Sequence, residues 1–237
     1  MRASDQRAHN RGRLSRKDLR APDEFITVTG RVINLVGEHL RTIAFVIGVI
    51  IACIIVAWGL LTYLHGVEQA AFRSIWQVEA QLRNAADGAV VPTASVERLQ
   101  EITHQFGAGE ARGYAWLYLG HVHYRQGDYR AAVTAYEQSA ALSQAPALLW
   151  SIASMGSAYA LEASQEFKAA QEAYQRVVDA KPMGFLLEAY LGKARTAEQS
   201  QDRETALAAY TAAIEQFPGR AEGLNLADKV EALKGAP

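Results

Sequence analysis

The C-terminal half of the sequence repeats itself at an interval of 36 residues. A bulky apolar residue followed by glycine recurs at this interval, and so does a proline: Leu119-Gly120, Met155-Gly156 and Leu191-Gly192, with Pro146, Pro182 and Pro218. Between them an Ala-x-x-x-Tyr pattern recurs as Ala132/Tyr136, Ala170/Tyr174 and Ala206/Tyr210. Periods of roughly 20 to 50 residues are typical of solenoids, whose units bury their apolar faces only by stacking on their neighbours. The pattern therefore predicts a stacked array.

The repeated residues resemble the tetratricopeptide repeat, a helix–turn–helix unit with the pattern W-x2-L-G-x2-Y, then A-x3-F, then P. Further matches are Trp116, Gly127, Asp128, Tyr129, Tyr159 and Phe167. The copies depart from the pattern at one aromatic position, which His123 and Arg195 occupy. The resemblance implies an all-α fold, a tetratricopeptide-type α-solenoid of about three repeats over residues 113–237. A C-terminal capping helix would close it through Leu226, Val230 and Leu233.

Ahead of the repeats, residues 42–64 form a run of 23 residues without a charge. As a helix, this run spans roughly 34 Å, which is enough to cross about 30 Å of hydrocarbon. A buried core helix would carry a polar stripe, and the apolar region of a signal peptide is shorter. The run therefore predicts a single N-terminal transmembrane helix. Ala44, Gly48 and Ala52 form a small-residue stripe along it, a candidate contact face for another membrane helix.

The other segments are predicted from composition and helical spacing. Residues 1–21 are polar and basic, and we expect a disordered cytoplasmic tail. Residues 22–41 favour an amphipathic interfacial helix, with a partner-binding or merely connecting helix as the alternative. Residues 65–112 are predicted to be a helical spacer. The basic tail favours a cytoplasmic N-terminus with the repeat domain across the membrane; the reverse topology would leave that domain in the cytosol.

Charge and composition argue against several classes of function. Residues 1–41 hold nine Lys or Arg and five Asp or Glu, whereas residues 42–237 hold fifteen and twenty, and an acidic main domain disfavours nucleic-acid binding. Cys53 is the only cysteine, so no disulfide framework or cysteine-based zinc site is expected. His121 and His123 are two residues apart, so on a helix they point to nearly opposite sides and do not chelate one metal as a pair. We predict no enzymatic activity, metal or cofactor.

The resemblance also implies a place for binding. In tetratricopeptide arrays, ligands usually lie in a concave groove lined by the first helix of each repeat. Carried over by position, the candidate groove residues are Tyr114, Leu117, His121, Tyr124, Arg125, Trp150, Ala153, Ser157, Leu186, Ala189 and Lys193. This mixture of aromatic, apolar and cationic side chains suits an extended peptide or a partner's helix, with the aromatic residues as anchors. The alternative is that several of them only pack against a neighbouring helix.

The whole layout resembles the ancillary SecYEG translocon subunit family, which is related to cell division coordinators. The resemblance implies a bacterial inner-membrane protein with a cytoplasmic N-terminus and a periplasmic repeat domain that helps pass exported proteins to periplasmic chaperones. Its partners would be translocon subunits, those chaperones and the lipid bilayer. The long basic tail departs from the family's short cytoplasmic segment. The alternative is a scaffold for another envelope complex, in division, pilus assembly or cytochrome maturation.

Overall fold

The computed structural model describes residues 39–84, 92–105, 107, 109–143 and 147–235. Within these ranges the chain forms ten α-helices and no strand, so the predicted all-α class is confirmed. The helices are α1 Leu40–Asn84, α2 Thr93–His104, α3 Ala111–Arg125, α4 Tyr129–Ala141, α5 Leu148–Ala163, α6 Phe167–Ala180, α7 Leu186–Gln199, α8 Arg203–Gln216, α9 Pro218–Gly223 and α10 Leu226–Gly235. The predicted tail and most of the predicted interfacial helix lie outside the described residues.

The chain divides into two units, Met1–Leu60 and Leu61–Pro237. The described part of the first unit is the beginning of α1, which contains a segment long and apolar enough to cross a membrane. Most of its large side chains are exposed, among them Phe45 at 73% and Trp58 at 68%. Ala44, Gly48 and Ala52 are exposed on the same segment, so their role as a contact face stays a prediction.

The second unit begins with the rest of α1, which continues to Asn84 without a break after the apolar run. Ala71, Ile75 and Val78 of this part are buried in a hydrophobic cluster with residues of α2 and α3. The described apolar residues of the predicted spacer therefore belong to the core of this unit, because they pack directly against the first repeat.

Three antiparallel helical pairs follow: α3 with α4, α5 with α6, and α7 with α8. Their internal turns share one geometry, with a positive φ of 78° at Gly127, 63° at Gln165 and 62° at Gln201. In the first and third turns, Asp128 and Asp202 cap the next helix by accepting hydrogen bonds from backbone N–H groups three residues on. The turns thus repeat the same backbone path with different residues.

The spacing of glycine and tyrosine in the repeats is explained by close helix packing. Tyr136 of α4 is 2% exposed, and its ring lies between Gly120 of α3 and Gly156 of α5. A Cβ atom at these glycines would come within 2.5 and 2.8 Å of that ring. Gly192 of α7 lies against Tyr174 of α6 in the same way. A larger residue at these positions would force the helices apart.

The last two helices close the array. Leu226 and Val230 of α10 are 2% and 7% exposed and belong to the hydrophobic cluster that runs from Met155 to the C-terminal helices. Leu233 packs against the same cluster. The predicted capping helix is confirmed, and the short helix α9 precedes it.

Candidate protein-binding pocket

An open pocket of about 470 Å³ lies between the first helices of the first two pairs. We call it the aromatic pocket; it is lined by His121, Tyr124, Tyr136, Ile152, Met155, Gly156, Tyr159 and Phe185. These residues come from α3, α4, α5 and the position just before α7. The pocket therefore exists only when three successive helical pairs are stacked.

One wall of the aromatic pocket is held in place by a hydrogen bond. Nδ1 of His121 lies 2.8 Å from the hydroxyl oxygen of Tyr136, and the two rings meet edge to face with centroids 5.4 Å apart. Burial lowers the pKa of His121 below its usual 6.5, so the imidazole is neutral at pH 7. This wall is polar at one point and uncharged.

The opposite wall is built by Tyr159. Its hydroxyl donates to Oε1 of Glu188 over 3.0 Å, and its ring meets the ring of Tyr174 edge to face. Burial, reinforced by the negative charge of Glu188, raises the pKa of Tyr159, so the hydroxyl stays protonated. At the mouth Tyr124 is 37% exposed and packs edge to face against Tyr129. A ligand entering here would meet aromatic surface on both sides.

Beside this wall lies a charged network. Glu162 accepts two hydrogen bonds from Arg195, 2.5 and 2.8 Å long, and one from the hydroxyl of Tyr174 at 2.7 Å. Burial alone would raise the pKa of Glu162, but these hydrogen bonds and the charge of Arg195 outweigh it and lower that pKa. Arg195, which departs from the repeat pattern, therefore ties α7 to α5 by a bidentate ion pair.

Comparison with known families identifies the helical pairs. A tetratricopeptide repeat model matches residues 113–145, and a second tetratricopeptide repeat model matches residues 155–221. The three helical pairs are tetratricopeptide repeats. No curated protein matches the chain.

The tetratricopeptide positions predicted to line a groove are divided among different environments. His121 and Tyr124 line the aromatic pocket. Leu117 and Ala153 are 4% and 0% exposed and pack in a hydrophobic cluster around Tyr136. For these two the packing alternative describes the structure better, because neither side chain is exposed to a ligand.

Trp150 and Ser157 lie in a second pocket, which we call the tryptophan pocket. It measures about 270 Å³ and is also lined by Tyr136, Glu137, Ala140, Ser154 and Arg176. Tyr136 borders both pockets, so its ring separates them. The hydroxyl of Ser157 is buried and has no hydrogen-bond partner among the described residues.

The other predicted groove residues contact neighbouring helices. The ring of Tyr114 lies 5.6 Å from that of Phe72, and Arg125 donates to the carbonyl oxygen of Leu82 over 2.6 Å. Lys193 donates to the side chain of Gln175. Leu186 packs against the hydrophobic cluster, and Ala189 is fully buried in it. The predicted groove positions are equivalent in the repeat pattern, but in the structure they do not form one continuous surface.

Six residues that line the aromatic pocket were missed: Tyr136, Ile152, Met155, Gly156, Tyr159 and Phe185. Tyr136, Met155, Gly156 and Tyr159 belong to the repeat pattern but lie outside the positions that were predicted to line the groove. The available signal was Tyr159, because Tyr124 and Tyr159 are aromatic residues 35 positions apart on successive first helices. Phe185 follows Gly184, whose φ of 87° turns the chain into α7.

Among the described residues, no group of three His, Cys, Asp or Glu side chains is placed to hold a metal ion. His123 is not near such a group; its Nδ1 is buried without a hydrogen-bond partner in the described part of the chain. Cys53 lies exposed on the apolar part of α1.

Proposed function

We propose that the chain is a membrane-anchored protein-interaction module whose aromatic pocket holds an apolar anchor of a partner polypeptide. The observation that carries the proposal is an open pocket with four aromatic walls, from Tyr124, Tyr136, Tyr159 and Phe185, in a tetratricopeptide array. Tetratricopeptide repeats in general bind proteins, and arrays of this kind are scaffolds rather than enzymes.

The chemistry of the pocket selects the anchor. Among the described residues, no Asp, Glu, Lys or Arg lines the pocket, and His121 is neutral, so the walls themselves carry no charge that would pair with an ionic side chain. Aromatic and apolar side chains gain most from leaving water for such a surface. A pocket of about 470 Å³ accommodates one or two large side chains. We therefore expect a Phe, Leu, Met or Trp anchor on the partner.

The apolar segment and the basic residues ahead of it support a proposed location and orientation in the cell. A segment apolar enough to cross a membrane precedes the repeats, and the basic residues ahead of it favour a cytoplasmic N-terminus. We propose that the protein lies in a bacterial inner membrane with its repeats in the periplasm, beside the Sec translocon, and helps hand exported proteins to periplasmic chaperones. An alkaline phosphatase fusion at the C-terminus tests this orientation, because the enzyme is active only outside the cytoplasm.

A partner pull-down tests the function. Full-length protein is extracted in mild detergent, and co-purifying proteins are identified by mass spectrometry. The comparison is with Tyr124→Ala plus Phe185→Ala in the pocket and with Trp76→Ala as the matched control, since Trp76 is 58% exposed on α1 and lies outside the pocket. Circular dichroism confirms that all variants are folded.

The outcomes test the binding surface and the export role separately. Loss of a partner from the pocket variant alone supports the aromatic pocket as the binding surface, and equal recovery from all three proteins contradicts it. Recovery of translocon subunits and chaperones supports the export role. Recovery of a division, pilus or cytochrome-maturation complex instead would replace that role with the alternative scaffold.

A further inference from the structure

The two ends of the repeat domain differ in chemistry. Because α3 to α8 alternate in direction, the connections α2–α3, α4–α5 and α6–α7 lie at one end, which we call the loop end. The turns within the pairs lie at the other, which we call the turn end. Only polar residues and glycine form the turn end: Gln126-Gly127-Asp128, Ser164-Gln165-Glu166 and Ser200-Gln201-Asp202.

The loop end exposes large apolar side chains. Leu142 is 50% exposed, Leu148 64% and Met183 97%. Among the described residues of the three helical pairs and their connections, Tyr124 is the only other large apolar residue in this exposed class. Leu142 and Leu148 border a groove of about 550 Å³ next to Tyr114 and Leu149. Apolar side chains gathered at one end of a domain mark a contact surface.

The same end lies where the chain leaves the apolar run. Leu64 is the last residue of that run, and the α2–α3 connection packs on it: a Cβ atom at Gly107 would lie 2.6 Å from Cδ2 of Leu64. One turn later, the backbone N–H of Glu110 donates to Oε1 of Glu68 over 2.7 Å. All four residues belong to the second unit. The loop end is therefore fixed to the helical turn at which the apolar run ends.

The turn end lies farther along α1 from Leu64. Helix α3 runs beside α1, from the contact of Tyr114 with Phe72 to the hydrogen bond between Arg125 and the Leu82 carbonyl. Fifteen helical residues separate the ends by about 20 Å. A bilayer surface at the level of Leu64 would thus lie near the loop end and away from the turn end.

We propose that the loop end rests on the bilayer in which α1 is anchored, with Leu142, Leu148 and Met183 at the boundary between headgroups and acyl chains. This inference rests on the membrane anchoring of the proposed function. The partner is the lipid itself: three large apolar side chains are exposed at this end, and the apolar run ends beside it. Such a contact holds the repeat domain upright against the membrane and leaves its polar turns in water.

Lipid-borne quenching tests the contact. Full-length protein with Cys53→Ser is labelled with an environment-sensitive fluorophore at Met183→Cys and, separately, at Gln126→Cys as the matched turn-end control. Ile51→Cys, within the apolar run, reports on anchoring. Each protein is reconstituted into phosphatidylcholine vesicles, with doxyl-labelled lipid or aqueous iodide as the quencher. Met183 and Gln126 are both exposed, so neither label disturbs the core.

The expected result is that the Met183 label shifts to shorter wavelength and loses fluorescence to doxyl lipid, whereas the Gln126 label responds only to iodide. Iodide quenching of both labels, with the Ile51 label quenched by lipid, overturns this inference and leaves the anchoring intact. If the Ile51 label is also quenched by iodide, the apolar run is not in the bilayer. Both the membrane anchoring and the contact of the loop end with lipid are then contradicted. If the Met183 label is shielded from iodide only after protein extract is added, the partner of the loop end is a protein and not the lipid.

Discussion

Two junctions between tetratricopeptide repeats have the same shape and different chemistry. At the first junction, where α5 packs on α3 and α4, the Tyr136 ring lies against Gly156 and its hydroxyl meets a neutral His121. At the second, where α7 packs on α5 and α6, the Tyr174 ring lies against Gly192 and its hydroxyl donates to the ion-paired Glu162. The shape is repeated, and the polar partner of the tyrosine is not.

The difference shows what the repeat pattern specifies. Glycine and tyrosine set the distance between successive helices, because a side chain on the glycine would overlap the ring. The hydroxyl partner does not affect that distance, so each junction can use its own. The first junction, where the tyrosine hydroxyl has an uncharged partner, borders the aromatic pocket, whereas the second contains the ion pair of Glu162 with Arg195.

The largest expected effect tests the shared shape. Tyr136→Ala and Tyr174→Ala each remove a buried ring, and we expect each to lower the free energy of unfolding by about 3–5 kcal/mol. Urea unfolding of the full chain in detergent, followed by circular dichroism, measures it. If one of the two costs less than about 1 kcal/mol, the ring does not hold its junction and the comparison fails.

A smaller effect is expected from filling the glycine positions. Gly156→Ala and Gly192→Ala place a methyl group against a ring that is held between helices, and overpacking of this kind typically costs about 1–3 kcal/mol. The higher helix propensity of alanine offsets about 1 kcal/mol of that cost. The same urea titration applies. Gly219→Ala is the control, since a Cβ there meets nothing within 4 Å, and it should leave stability unchanged or raise it.

The sequence predicts the shape of these junctions far better than their chemistry. The 36-residue spacing predicts the helical pairs, because glycine and tyrosine each have one steric role in every copy. The partner of Arg195 was not predictable, since Glu162 lies 33 residues earlier and outside the repeated pattern. The predicted groove positions lie in different environments for a related reason: equivalent positions were assumed to share a surface, but Tyr136 lies between the pocket of His121 and the pocket of Ser157.

Removing the tyrosine hydroxyls alone should affect the two junctions to different extents. Tyr174→Phe removes a hydrogen bond to a charged carboxylate and should cost about 1.5–3 kcal/mol, whereas Tyr136→Phe removes a neutral one and should cost about 0.5–1.5 kcal/mol. Both variants keep the ring, so the difference reports on the polar partner alone. Urea midpoints of the two variants measure it. Equal costs would mean that the charge of Glu162 adds nothing to the second junction.

The smallest effect is a difference in pH dependence. Burial holds His121 neutral in the folded chain, so its pKa lies below the usual 6.5 and the unfolded chain binds this proton more readily. Stability of the first junction is therefore complete above pH 6.5 and falls as pH drops below it. The pKa of Glu162 is lowered from 4.5, so its contribution is complete above pH 4.5 and is lost as pH falls through the lower folded value.

Thermal unfolding between pH 7.5 and 5.5 separates the two. The wild type should lose stability over this range, and His121→Gln should lose less, because it removes the titrating ring. Glu162→Gln should be less stable throughout and keep the wild-type slope, since Glu162 stays ionised over the whole range. Glu79, Arg83 and Arg125 line the other side of His121. If His121→Gln keeps the pH dependence of the wild type, another group causes that dependence. The neutral imidazole would then not distinguish the first junction from the second.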